Sequence, residues 1–116
     1  MKIITVMVQP FMLSKVTSAL EDIDNFPGMT VTDVRGFGRE KASHARGARH
    51  RVVEDFVEYV KKARIEIVAR DEMTEEIVAT LVRAAHTGNP GGGKVFVWPV
   101  ERAVRIQTGD KDDAAL

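Results

Sequence analysis
The chain has 116 residues, with 17 Lys plus Arg against 17 Asp plus Glu and a formal net charge of zero, so one domain is expected and no global basic field points to nucleic acid. Cysteine is absent, which excludes disulfides, thiolate zinc sites and cysteine nucleophiles and suits a reducing compartment. Apolar residues make up 44% and charged residues 29%, an ordinary globular balance rather than a disordered one.

Residues 3–8 (IITVMV) form a β-rich run stopped by Gln9-Pro10, too short for a membrane span or a signal peptide, and predict a first strand. Leu13, Val16, Leu20 and Ile23 recur at helical spacing, and Asn25-Phe26-Pro27-Gly28 ends that helix with turn residues. Residues 29–34 predict a second strand, closed by Gly36-Phe37-Gly38. Residues 39–59 show no clean period. Residues 63–69 alternate, with Ile65, Ile67 and Ala69 on one face, and predict a third strand. Asp71 is a candidate N-cap for a second helix with the stripe Ile77, Val78, Leu81, Val82 and Ala85, and Gly88 its C-cap. A Gly/Pro loop follows, then a fourth strand from Val95, a short edge strand at Val104-Arg105-Ile106, and a polar, loose tail after Gly109. The order β-α-β-loop-β-α-β predicts an α+β, ferredoxin-like domain with both helices on one side of an antiparallel sheet.

Two helices cover one sheet face only. The first strand is apolar on both faces, with Ile4, Val6 and Val8 on one and Ile3 and Met7 on the other, and the fourth sets Val95 and Val97 against Phe96 and Trp98. An exposed apolar face of that size is unusual in a soluble monomer, so burial against further copies is expected. The bland alternative is a partly exposed face softened by Thr5 and Lys2.

Chemistry concentrates in a few places. In Thr87-Gly88-Asn89-Pro90-Gly91-Gly92-Gly93-Lys94, consecutive glycines free backbone N–H groups for a polyanion and Lys94 adds a point charge. The helix-loop-strand order is the reverse of a Walker loop, and a triple glycine is more often only a flexible turn. Gly36-Phe37-Gly38-Arg39 permits a sharp strand exit beside a phosphate-gripping arginine, or is simply a strand-ending bulge. No nucleophile elbow, catalytic triad or close carboxylate pair is visible, which argues against an enzyme.

These residues resemble the PII signal-transduction family. The stretch from Gly28 to Arg39 (GMTVTDVRGFGR) resembles its second-strand signature. Thr87-Gly88, Gly91 and Gly93-Lys94 resemble its B-loop, and Val104-Arg105-Ile106, Thr108-Gly109 and the terminal Asp112-Asp113-Ala114-Ala115-Leu116 resemble its C-terminal segment. Gln9-Pro10-Phe11 resembles the end of its first strand. The resemblance implies a single domain over 1–116, with a T-loop at about 39–60, a B-loop at about 88–94 and a flexible tail at about 109–116. It implies a cytoplasmic homotrimer binding ATP or ADP between subunits, with AMP a further candidate. Gly28, Met29 and Thr30 would contact the base, with Glu66 and Val68 beside it. Gly36, Phe37, Gly38 and Arg39 would approach the phosphates, Gly91, Gly92, Gly93 and Lys94 would cradle them, and Arg105 would come from the neighbouring subunit.

Departures from the family pattern matter equally. Glu40 stands where a glutamine usually helps hold the magnesium that bridges ATP and 2-oxoglutarate. Its carboxylate would repel the dicarboxylate, although Lys62 keeps the other half of that effector site. Gly92 replaces an aspartate and Gln107 an arginine. These changes leave magnesium open and make ADP or AMP more serious candidates. The T-loop lacks the tyrosine that is uridylylated and reads Ala48-Arg49-His50-Arg51 there. With Arg46, Arg49, His50 and Arg51 it forms a charged surface for docking a partner such as a transporter or metabolic enzyme. The other reading is a metal- or small-effector-responsive trimer linked to metal efflux, using His44, His50 and Glu40, although the histidine spacing alone supports no metal site. His86 is expected to cap its helix.

Overall fold
In a computed structural model the described residues are 1–37, 58–86 and 93–116. β1 (Lys2–Val8), α1 (Leu13–Glu21), β2 (Thr30–Gly36), β3 (Val60–Ala69), α2 (Thr74–Ala85) and β4 (Val95–Pro99) follow in that order. The four strands form one sheet in the spatial order β2-β3-β1-β4, every neighbouring pair antiparallel. This is the ferredoxin-like arrangement expected from the sequence.

Strand parity sorts the side chains. Ile4 pairs with Ile67 and Val97, and Val6 with Ile65 and Val95. These positions face the helices, where Ile4, Val6, Val8, Ala63, Ile65, Ile67 and Ala69 are buried with Val16 and Leu20 of α1 and Ile77, Leu81, Ala84 and Ala85 of α2. The alternate positions form an open face: Ile3, Thr5 and Met7 of β1, Phe96 and Trp98 of β4, Lys62, Arg64, Glu66 and Val68 of β3, and Thr30, Thr32 and Val34 of β2. Met7, Phe96 and Trp98 there are 42%, 53% and 43% exposed. Thr5 behaves differently from expectation: it is buried. Lys2, the other residue expected to soften this face, pairs with Ala69 and Pro99 and so has the parity of the covered face.

The helix starts also differ in detail. Asp71 is not the N-cap of α2. It opens a 3-10 turn at Asp71–Met73, and α2 begins at Thr74 after Met73. Its carboxylate instead accepts a hydrogen bond from the Met1 ammonium at 2.8 Å, with the Lys2 ammonium at 3.6 Å. An ammonium outcompetes backbone N–H groups for a carboxylate because the pair is charge-assisted on both sides. His86 ends α2 in an extended conformation, and Arg83 supplies the basic residue of the last turn. Gly88 lies outside the described residues.

No edge strand forms at Val104-Arg105-Ile106. A single bridge joins Val104 to Lys111, because hydrogen bonds from Arg105 N to Asp110 O (2.8 Å) and from Gly109 N to Arg105 O (2.7 Å) turn the chain too tightly for a ladder. Asp112, at φ 54°, fastens the loop: its N–H donates to Ala103 O and its Oδ1 accepts from Ala103 N. In the segment expected to be a loose tail, Asp112–Ala115 forms a 3-10 turn, and Arg70 Nη2 donates to Asp113 O at 3.2 Å.

The hydrogen bond from the Met1 ammonium, aided by Lys2, lowers the Asp71 pKa from its usual value. A carboxylate with a depressed folded-state pKa stabilises the fold above its unfolded pKa and loses that contribution as pH falls through the folded one. Asp71→Asn is therefore expected to lower the thermal midpoint at neutral pH, with the gap from the parent closing in acid, as read by thermal melts across pH.

Candidate functional site
The candidate residues divide between the two ends of the sheet. At one end, Gly28 holds φ 102° with open space where a Cβ would stand, so the backbone is accessible and the conformation is one that L side chains rarely adopt. Met29 follows, half-buried against the core. Thr30 begins β2 directly opposite Glu66, and Val68 lies two residues further along β3, opposite Ile3. Thr30, Glu66 and Val68 thus share the open face at one corner.

Gly36 closes the other end of β2, opposite Val60. With a strand rise of about 3.3 Å per residue, Gly36 stands about 20 Å from Thr30. Phe37 continues past it and meets Tyr59 edge-on, ring centroids 5.7 Å apart at 64°. The pair extends the β2–β3 ribbon one step toward the 38–57 segment, a role for Tyr59 that the unperiodic sequence there did not signal.

Gly93 and Lys94 lie at this same end. Val95 pairs with Val6, which brings the preceding residues beside Met7. Gly93 holds φ 91°, and a Cβ on it would stand 2.7 Å from the Met7 carbonyl oxygen. Gly93 is therefore seated on β1 by a backbone contact that only glycine permits. Lys94 is exposed.

Arg105 lies at the opposite end. β4 runs away from Lys94 for about 17 Å before Pro99, and the chain then turns into the loop described above. Arg105 Nη2 donates to Leu116 O at 3.3 Å, and Leu116 N donates to Asp113 O, the carbonyl held by Arg70 just beyond β3. Within one chain, Arg105 and Lys94 stand at opposite ends of the sheet.

Lys62 is half-buried on the open face, opposite Val34. Gly38, Arg39, Glu40, Arg46, Arg49, His50, Arg51, Gly91 and Gly92 lie outside the described residues, as does His44. Among the described residues no group of three His, Cys, Asp or Glu side chains could hold a metal ion.

Two residues of the open face carry a feature absent from the sequence reading. Thr5 Oγ1 and Arg64 Nε are buried without a hydrogen-bond partner among the described residues. Strand parity could have put both on this face. It could not have shown their burial.

Gly93→Ala is expected to lose roughly 1–3 kcal/mol of stability, since the alanine must leave a positive-φ conformation and push against Met7. Chemical denaturation of the variant beside its parent measures this.

The family model described as nitrogen regulatory protein P-II matches residues 1–110. The chain is 44% identical over 116 residues to the nitrogen regulatory protein P-II of Klebsiella oxytoca and to nitrogen regulatory protein P-II 1 of Escherichia coli K12, covering all of each. It is 41% identical, again end to end, to the nitrogen regulatory protein P-II of Haemophilus influenzae. With the sheet order and the strand-end glycines in place, these matches show that the chain belongs to the nitrogen regulatory protein P-II family.

Proposed function
We propose that this chain is a non-enzymatic signal-transduction regulator: a cytoplasmic homotrimer that binds an adenine nucleotide between subunits and signals through the 39–60 loop to a transporter or metabolic enzyme. The observation that carries this reading is the end-to-end similarity to proteins named nitrogen regulatory protein P-II. No described helix is long and apolar enough to cross a membrane.

The geometry supports a shared cleft. Gly28, Met29, Thr30, Glu66 and Val68 take the base. Gly36, Phe37, Gly93 and Lys94, joined by Gly38, Arg39, Gly91 and Gly92, take the phosphates. Arg105, like Gly28, Thr30, Glu66 and Val68, stands at the end of the sheet opposite Gly36 and Lys94, too far within one chain for a single nucleotide to span, so one copy supplies the base-binding residues with Arg105 and a neighbouring copy supplies the phosphate-binding ones. Nucleotide binding alters the order of the 39–60 loop, and the energy of that change sets affinity for the partner. With Glu40, Gly92 and Gln107 at the departures noted above, ATP, ADP and AMP are all effector candidates, and a magnesium-bridged 2-oxoglutarate readout is not expected despite Lys62.

Calorimetry with ATP, ADP and AMP tests the reading, with magnesium, 2-oxoglutarate and divalent metals as further arms. Lys94→Ala and Arg105→Ala are each expected to weaken nucleotide binding about tenfold or more, the worth of one charge-assisted contact. Mixed oligomers of the two variants are expected to regain high-affinity sites, since some clefts then unite an intact Lys94 with an intact Arg105. Absence of binding by every nucleotide refutes the proposal, and recovery absent from the mixture refutes the shared cleft.

A further inference from the structure
Three described polar residues are buried: Thr5, Thr74 and Thr80. Thr74 Oγ1 donates to Arg70 O and Thr80 Oγ1 to Glu76 O, each using the carbonyl one helical turn back. A strand threonine has no such carbonyl. Thr5, only 3% exposed, leaves its hydroxyl unpartnered among the described residues. Its diagonal neighbour on the open face is Arg64, because Thr5 pairs with Glu66 and Met7 with Arg64. The buried Nε of Arg64 is unpartnered as well, and its Nη2 reaches Glu66 only at 3.6 Å.

A buried polar atom without a partner forfeits the hydrogen bonds it made to water, and two on neighbouring strands of one face call for a common explanation. The surrounding surface is apolar and half-exposed, formed by Met7, Phe96 and Trp98. At its centre Arg64 and Glu66 lie two residues apart on the same face, a donor-rich cation beside an acceptor-rich anion. Such a patch is complementary to itself. In a closed symmetric assembly, where every copy offers the same surface, the cation of one copy can meet the anion of the next.

We infer that Thr5, Arg64 and Glu66 form a polar lock between copies of this chain, with Arg64 of one copy paired to Glu66 of the next and Thr5 hydrogen-bonded across the same contact. The occupant of the open face is thus a second copy, and the lock sets which chains associate and in what register. An apolar rim supplies affinity, and a central polar group penalises a misaligned or foreign chain. This inference rests on the proposed assembly through the open face but goes beyond it, since an apolar face alone would assemble without these three residues.

Thr5→Val and Arg64→Met test it by sedimentation along a dilution series, with thermal melts in parallel. The lock predicts that each variant stays folded and dissociates at a concentration at least about fivefold higher than the parent, the effect of losing one intersubunit hydrogen bond. Charge reversal then locates the pairing. Arg64→Glu chains alone and Glu66→Arg chains alone are expected to associate weakly, and a mixture of the two to recover part of the loss, since a mixed trimer pairs opposite charges at all but one of its contacts. If Thr5→Val matches or exceeds the parent in melting point with association unchanged, the hydroxyl has no intersubunit partner and the lock is wrong. Parent-like association of Arg64→Met, or reversed chains that recover only when both changes lie in one chain, overturns it too. A parent that stays monomeric throughout the series instead overturns the assembly itself.

Discussion
A helix pair can blanket one face of a four-stranded sheet and no more, and the rest of this molecule follows from that limit. α1 and α2 bury Ile4, Val6 and Val8 of β1 with Ile65 and Ile67 of β3, the two central strands. The edge strands gain less: Val31 of β2 and Val97 of β4 remain more than a third exposed although their parity is that of the covered face. The opposite face is apolar at β1 and β4 and charged along β3. A chain with equal numbers of positive and negative residues has no strong self-repulsion to keep such faces apart.

Antiparallel topology then fixes where the functional segments emerge. β2 starts at the end where β3 finishes, so Gly28, Thr30, Glu66 and Val68 gather at one corner. β2 ends and β4 begins at the other end, which collects Gly36, Phe37, Gly93 and Lys94. The loop carrying Arg105 leaves β4 at the first end and is fastened there through Asp112 and Arg70. Lys94 and Arg105 are held apart by the paired length of β4 together with the bonds of Asp112 and Arg70 that fasten the Arg105 loop at the first end.

How much of this was legible in the sequence depends on the kind of signal. The alternation of Ala63, Ile65, Ile67 and Ala69 and the helical stripe from Ile77 to Ala85 are periodic, and periodicity survives folding because burial produces it. Asp71 failed as a cap because a distant group, the Met1 ammonium, competes for it, and no local pattern contains that competitor. Val104-Arg105-Ile106 has strand propensity, yet Gly109 and Asp112, both at positive φ, close the loop before a ladder forms. The glycines of the candidate site were visible as letters. Only the backbone distinguishes Gly93, pressed on Met7, from Gly28, which has open space beside it. Thr5 was read as a softener of an exposed face because its burial depends on neighbours from two other strands.

The proposed cleft and the proposed polar lock make binding and assembly one equilibrium. If a nucleotide needs residues from two copies, it binds the assembled state and not the separated chain, and mass action requires that it strengthen assembly by the same factor that assembly strengthens its binding. Glu66 sits at the junction. It lies opposite Thr30 on the side of the base candidates and opposite Thr5 on the side of the lock. In the proposed assembly a carboxylate engaged by Arg64 of a neighbouring copy would be held in one orientation and would give the proposed base pocket a fixed wall. Preorganisation of that kind lowers the ordering cost of ligand binding. The chemistry of the open face therefore bears on the affinity of a site at its corner, without any change in the residues that touch the ligand.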